Sequence, residues 1–323
     1  MKKVCVIGCL NVDMIVGADT FPRLGETVFV DDFQLLIGGG KGANQAVALG
    51  RLGGDVRMVG LLGDQFYGAD YWAVLAENGV VNDSVEVRAG VYPGIAYVAV
   101  GQDGNNMIFT FSGANQLVTP EYIDKHWDAI AACDIFLFQQ GIPRATNLYA
   151  MKRLTALGGK TIVLDPAPAR DFVPELLQYA DIITPNETEM LAISGIEVTT
   201  LESYRRACDK MHSMGAKTVL SKAGGGGVYI SRDGSFTHVP AFSVKVVDTT
   251  AAGDSFNAGL AYGLSIGLDL ISSVIVAHAV AGIATTKMGA QSAMPDLPTV
   301  LRFLQENAPE QTALLAALQQ ALS

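Results

Sequence analysis

The chain has 323 residues, 50% of them hydrophobic, and a formal net charge of −10. That length makes one large or two modest globular domains with ample core, and the negative balance argues against nucleic acid or an anionic membrane as partner, since either demands a basic face. The four cysteines, at 5, 9, 133 and 208, show no paired CxxC spacing, which points away from disulfides and zinc and toward reduced thiols in a cytoplasmic protein.

From the amino terminus, VCVIG predicts a core strand rather than an export signal, because Asn11 and Asp13 interrupt the apolar run. An amide and a carboxylate just past a strand end suit bidentate hydrogen bonds to the vicinal hydroxyls of a sugar, and suit a polar turn equally. Glu26 to Ile37 reads as extended, followed by the glycine-rich turn IGGGKGANQ at Ile37 to Gln45. That turn fits neither common nucleotide loop. A Walker loop would need glycine at Leu35 and Ser or Thr at Gly42, and a dinucleotide fingerprint would have to open the first βαβ unit. Its glycines instead allow close backbone approach to a ligand, with Lys41 and Asn44 offering a charge and a two-sided amide; a tight structural turn is the alternative.

Further along, Val- and Ile-rich strands (VRMVGLLG, IFLFQ, TIVLD) alternate with helical stretches (GANQAVALGRLG, YWAVLAENG, LYAMKRLTALGG), which predicts a mostly parallel sheet with helices on both faces. Ligands then belong at the carboxyl ends of the strands. Gly94 to Ser112 breaks the rhythm as a hairpin around Asp103-Gly104 and, with Glu26 to Ile37, predicts a small separate sheet acting as a lid or dimer surface. No linker divides the chain, so 1–323 reads as one domain, with lid strands inserted within about 14–37 and 92–112. Ala308 to Ser323 reads as a helix with Leu314, Leu315, Leu318 and Leu322 on one stripe, favouring packing on its own domain over an oligomer contact.

The segment Asp248 to Gly267 carries the sharpest chemical signal. Val244 to Val247 predicts a strand and FNAGLAYGLSIG a buried helix, so the small residues between make a strand-to-helix turn whose free N–H groups attract anions. A carboxylate beside such a cradle, Asp254, makes sense as a base that deprotonates an attacking hydroxyl, which is phosphoryl transfer to an alcohol. The competing reading is a carboxylate that only complements the helix dipole.

The ordered series GGGKGANQAVALGRLG, GDQFYG (Gly63 to Gly68), SGAN (Ser112 to Asn115), DPAPAR (Asp165 to Arg170), TPNETE (Thr184 to Glu189), DTTAAGDSF and KMGAQSAMP (Lys287 to Pro295) resembles the ribokinase-like, or PfkB, carbohydrate kinase family from Lys3 to about Pro295. The resemblance implies a three-layer α/β/α sandwich with a small β-sheet lid. It also implies that Asp254 is the catalytic base and that the backbone of Ala251, Ala252 and Gly253 forms an anion hole. Asn11, Asp13, Gly39, Gly40, Lys41 and Asn44 would hold the sugar. Asn186 and Glu189 match a motif associated with magnesium and phosphate, held through water, although Asn followed by Glu three residues later is also a capping pattern. Lys222, Gly224, Gly225, Gly227 and His278 fall where the family lines its ATP site. Asp248, Thr250, Ala284, Lys287, Gly289 and Ala293 match a loop pair that encloses potassium, largely through backbone carbonyls.

Two departures stand out. Ala251 replaces the first glycine of the usual GAGD, at a cost of roughly 1 kcal/mol if the position needs positive φ. Gly141, in FQQGIP, stands where ribose-phosphorylating members carry a glutamate. The expected activity is therefore ATP-dependent transfer to a primary hydroxyl of a small sugar, with D-ribose leading and a nucleoside, deoxyribose, fructose or keto-sugar acid kept open. A catalytically impaired sugar-binding or regulatory protein is the reading from another class, and a homodimer through the lid sheet is expected.

Overall fold

The computed structural model describes residues 1–30, 32–101 and 106–322. Strand β1 (Val4–Ile7) leads within three residues to β2 (Asn11–Ala18), then β3 (Asp32–Gly39), α1 (Lys41–Arg51), β4 (Val56–Gly63), α2 (Tyr71–Glu77) and β5 (Val80–Arg88). Next come β6 (Gly94–Gly101), β7 (Asn106–Phe111), α3 (Pro120–Lys125), α4 (Trp127–Ala131), β8 (Ile135–Phe138), α5 (Arg144–Leu157) and β9 (Thr161–Leu164). The rest comprises β10 (Ile182–Ile183), α6 (Glu187–Ser194), α7 (Leu201–Ser213), β11 (Thr218–Lys222), β12 (Val228–Arg232) and β13 (Ser235–Val239). It closes with α8 (Ala252–Ser265), α9 (Leu270–Ala284), α10 (Leu297–Asn307) and α11 (Thr312–Leu322).

Nine strands form the main sheet in the order β13-β12-β11-β10-β9-β8-β1-β4-β5. Pairing is parallel from β11 through β5 and antiparallel only at the β12 and β13 edge. Strand alternation splits the apolar side chains between two layers. Val4 and Val6 face a core closed by α1, α8, α9, α10 and α11, while Cys5 and Ile7 face one closed by α3 to α7. This is the expected three-layer sandwich. Four further strands make a second sheet, β3-β2-β6-β7, at the positions expected for the lid.

Three local expectations change. Val244 to Val247 is not a strand: β13 ends the sheet, and the backbone N–H groups of Val247 and Asp248 bond instead to Thr285 O at the end of α9 (2.8 and 3.2 Å). Within the extended run before the glycine loop, Glu26 to Val30 form no strand and β3 is described from Asp32, where it pairs with Gly17 of β2. The last helix starts at Thr312 rather than Ala308, since Pro309 falls in a turn closed by Gln311 N to Ala308 O (3.0 Å). Leu314 and Leu318 of that helix are buried in the main core, while Leu322 is exposed. The turn expected at Asp103-Gly104 lies outside the described residues, but the flanking β6 and β7 pair antiparallel. Among the described residues no helix is long and apolar enough to cross a membrane.

Candidate active site

The strand order reverses around β1, which lies between β4 and β8, and the chemistry collects beyond the carboxyl ends of the strands there. Asn11 and Asp13 follow β1, Asp165 follows β9, Asn186 follows β10, and Lys222 ends β11. Helix α1 brings Lys41, Asn44 and Gln45 to the same end, and α8 brings Asp254 in its first turn. A cleft of about 150 Å³ is lined by Lys41, Asp165, Asn186, Glu189, Lys222, Gly253 and Asp254, among others. A larger hollow of about 720 Å³ lies at the opposite ends of β9 to β11. The charges that line it are paired with one another, Lys217 with Asp181 and Arg232 with Asp233, so the smaller cleft is the chemically poised one.

Asp254 is buried at 3% exposure, and each carboxylate oxygen has a donor. Asn44 Nδ2 donates to Oδ2 at 3.0 Å, and Gln45 Nε2 donates to Oδ1 at 3.2 Å while also reaching Asp165 Oδ2 at 3.1 Å. Burial pushes the Asp254 carboxyl above its ordinary range, opposed by the Lys41 ammonium and the two amides, with Asp165 adding to the rise. Lys41 in turn is held firmly protonated, first by Asp254 and, against the effect of burial, also by Asp165 and Glu189. A buried carboxylate whose proton affinity is raised, beside a fixed cation, is suited to accept a proton from a hydroxyl.

Asn11, Asp13, Gly39 and Gly40, among the residues expected to hold the sugar, meet at one joint. Asn11 pairs with Gly39 across β2 and β3, and the register shifts between Asn11 and Asp13. A Cβ on Gly39 would strike the Asp13 carboxylate, so only glycine admits Asp13 here. Burial, then the charge of Asp254, pushes Asp13 up to about 7, and its Oδ1 has no partner among the described residues. Asn115 clamps Asn11 in place: its Nδ2 donates to Asn11 Oδ1 (2.9 Å) and Leu10 O (3.2 Å), and its Oδ1 accepts from Leu10 N (2.9 Å). Gly40, at φ 85°, turns the chain into α1.

At the anion side, Ala251 sits at φ 57° and ψ 17° immediately before α8. The alanine adopts the left-handed conformation that the usual glycine favours, so the departure from GAGD costs strain rather than geometry. Among the described residues the N–H groups of Ala251, Gly253 and Asp254 have no acceptor. That of Ala252 donates to Thr249 O at 3.1 Å, which removes it from the expected anion hole in this conformation. Lys222 Nζ lies 3.9 Å from Asp165 Oδ1 and borders Gly253.

Asn186 and Glu189 serve the capping role in full: Asn186 Oδ1 accepts from Glu189 N (2.9 Å) and Glu189 Oε2 accepts from Asn186 N (2.8 Å). They line the cleft as well, and burial, with Asp165, raises the Glu189 carboxyl. Gly224, Gly225 and Gly227 follow Lys222 in a turn outside that cleft, where nothing blocks a Cβ on Gly224 or Gly225. His278 also stands apart, edge-on to Phe256, and burial lowers it to about 4, so it is neutral at pH 7. Asp248 joins the two loops of the expected cation site: Oδ1 accepts from Thr250 N (2.8 Å) and Oγ1 (2.6 Å), and Oδ2 from Gly289 N (2.8 Å). Ala284 O takes Lys287 N at 3.4 Å, and Ala293 is buried at the end of the second loop.

The pfkB family carbohydrate kinase profile matches residues 1–297. This chain is a member of that family. It is 37% identical over 295 residues to the ribokinase of Bacillus subtilis, covering 91% of this chain and 97% of that one. The ribokinase of Haemophilus influenzae is 34% identical over 304 residues, covering 94% and 99%. The solved structure of Arabidopsis thaliana ribokinase complexed with ribose and ATP superposes with a TM-score of 0.88 at 32% identity, over 94% of this chain and 99% of that one. For a pfkB kinase, the residues that sequence reasoning passed over are Gln45, Asn115, Gln139, Asp165 and Gln291. Gln45 and Asn115 lay inside the GANQ and SGAN blocks, but their partners are at least 94 and 104 positions away, which no local pattern reveals.

Proposed function

We propose that this kinase transfers the γ-phosphoryl group of ATP to the primary hydroxyl of D-ribose. The observation that carries the reading is Asp254, buried at the start of α8 with both oxygens held by α1 amides and Lys41 alongside. Asn11, Asp13 and Asn44 hold the sugar hydroxyls, and Asp254 removes the proton as the hydroxyl oxygen attacks the γ-phosphorus and the bond to the ADP oxygen breaks. The free N–H groups of Gly253 and Asp254 face the charge that develops on the transferring group, and Lys222 adds a cation. The ATP base extends toward the Gly224 to Gly227 turn and His278.

Asn186 and Glu189, which line the cleft beside Lys222 and Gly253, would hold magnesium through water, in keeping with that ion's preference for retained waters and few carboxylates. When bound, that ion neutralises phosphate charge. Hydrogen bonds from Thr250 and Gly289 hold the Asp248 carboxyl below its ordinary range despite burial, and the carbonyl-rich loops it joins fit a potassium ion. We take residues 1–323 as one kinase unit whose four-stranded sheet closes over the sugar. Cross-strand register puts Phe33, Tyr97, Met107, Phe109 and Phe111 on one face of that sheet, opposite Asp13, and all five are exposed. That face is the homodimer surface, and light scattering at micromolar concentration tests it.

The deciding experiment is ADP release with a panel of sugars and nucleosides. Cys9 Sγ and Cβ occupy the space a side chain on Gly141 would need, so no carboxylate reaches the sugar from that position. This observation keeps deoxyribose as a second reading. Highest kcat/KM for ribose supports the first, for deoxyribose the second, and no ADP release with any sugar overturns both.

A further inference from the structure

A side-chain amide has a donor end and an acceptor end, and turning it end for end exchanges them. Asn44 and Gln45 support an ionised Asp254 only while both present nitrogen to it. Reversed, each would set a carbonyl oxygen against a buried carboxylate, and Gln45 would do so against Asp165 as well.

Something has to fix that choice, and two further glutamines stand where they do so. Gln139 Nε2 donates to Gln45 Oε1 at 2.7 Å, and Gln291 Nε2 donates to Asn44 Oδ1 at 3.2 Å. Gln45 and Gln139 are wholly buried, while Asn44 and Gln291 are 6% and 7% exposed, so water has little access to exchange for these contacts. The outer pair is held in place by different means, and the Oε1 of Gln139 has no hydrogen-bond partner among the described residues. Gln139 packs its Oε1 over Gly8, where any Cβ would collide with it, and its backbone carbonyl accepts from Asn147 Nδ2 at 2.7 Å. Gln291 Nε2 also donates to Tyr71 OH (2.8 Å), which donates to Gly39 O at 2.7 Å.

We propose that Gln139 and Gln291 are positioning residues for the base: each caps the carbonyl of one α1 amide and so makes that amide donate to one oxygen of Asp254. The two arms come from different places. Gln139 follows β8 of the main sheet, whereas Gln291 lies on the loop between α9 and α10 and is tied through Tyr71 to the end of β3 in the small sheet. One arm therefore reports the rigid core, and the other couples the base to the carbonyl of Gly39, where the sugar binds.

The inference rests on Asp254 being the base, and double-mutant cycles on kcat with ribose and ATP test it. Gln139→Leu should lower kcat about ten-fold alone and less than about two-fold in a Gln45→Leu background, while keeping its full effect beside Asn44→Ala. Gln291→Leu should show the mirror pattern, losing its effect beside Asn44→Ala and keeping it beside Gln45→Leu. Additive effects in both matched pairs overturn the proposal. If the leucine variants do not fold, Gln139→Met and Gln291→Met keep the length without the donor and serve in the same cycles. The acid limb of the kcat profile should also move to higher pH in each single variant, a change that loosened packing alone would not give. Lys41, Asp165, Asp13 and Cys9, which face Asp254 from α1, the end of β9, β2 and the end of β1, are unchanged in all of them. An Asp254→Asn enzyme that remains active would refute the base and this proposal with it, whereas an inactive one with additive cycles refutes the positioning alone.

Discussion

Replacing Ala251 with glycine tests whether the phosphate turn stores strain. At φ 57° and ψ 17° an L-residue pays roughly 1–2 kcal/mol relative to right-handed backbone. Glycine escapes that cost but loses about 0.4–1 kcal/mol through the greater freedom of its unfolded chain. The alanine methyl is half-buried against the core beside α8, so deleting it forfeits a fraction of the ~0.8 kcal/mol that a fully buried CH₂ contributes. Taken together, Ala251→Gly should lie between neutral and about 1 kcal/mol more stable. Ala251→Val, branched at Cβ, should lose about 2 kcal/mol or more. Urea unfolding reads both as shifts in midpoint at unchanged slope. Because the alanine already holds the glycine-like geometry, kcat of the glycine variant should stay within about two-fold of the parent. A loss of more than about 1 kcal/mol on Ala251→Gly would show that the turn is not strained by its methyl group.

Asp254→Asn should cut kcat by about 10²–10⁴-fold while leaving ATP affinity within about two-fold, as measured by single-turnover kinetics and nucleotide titration. Asp13, raised to about 7 in the folded protein from an ordinary 3.8, contributes stability below pH 3.8 that is lost as pH rises through 7. Asp13→Asn, neutral throughout, should therefore gain on the parent in unfolding midpoint from pH 4 to pH 8; a constant difference would remove the case for a raised carboxyl. Gly39→Ala puts a methyl into the Asp13 carboxylate and should raise the sugar KM about ten-fold or more with the ATP KM unchanged. His278, held neutral by burial with a value near 4, costs stability as pH falls from 6.5 toward 4, and His278→Gln should flatten that part of the profile.

Much of this site was legible because its pieces are local. Asp254 with its flanking small residues, the GGGKGAN turn, and Asn11 with Asp13 each announce a backbone conformation and a chemical type within a few positions. What stayed hidden depends on register. Gln45 is an ordinary helix residue until folding brings Asp165 and Gln139 to it from 120 and 94 positions away. Gln291 sits in a loop matched for its carbonyls, yet its side chain works on Asn44, 247 positions earlier. Val244 to Val247 has strand composition but pairs with no strand, its Val247 N–H going instead to Thr285 O, and β-propensity without a paired neighbour does not make a strand. The φ of Ala251 was posed by the sequence as a question, since alanine names no conformation.

Three residues separate β1 from β2, so on the proposed function sugar recognition would sit at a fulcrum. Asn11 and Asp13 leave the rigid sheet and enter the small one almost at once, so they form the hub about which the small sheet would swing. Residues at a hub travel least. On the proposed reading, selectivity for the sugar would be set by groups that stay in register with Asp254, and the outer strands would be left to shield the reaction and to meet a second copy. Those outer strands are free to diverge in sequence without changing what the enzyme phosphorylates.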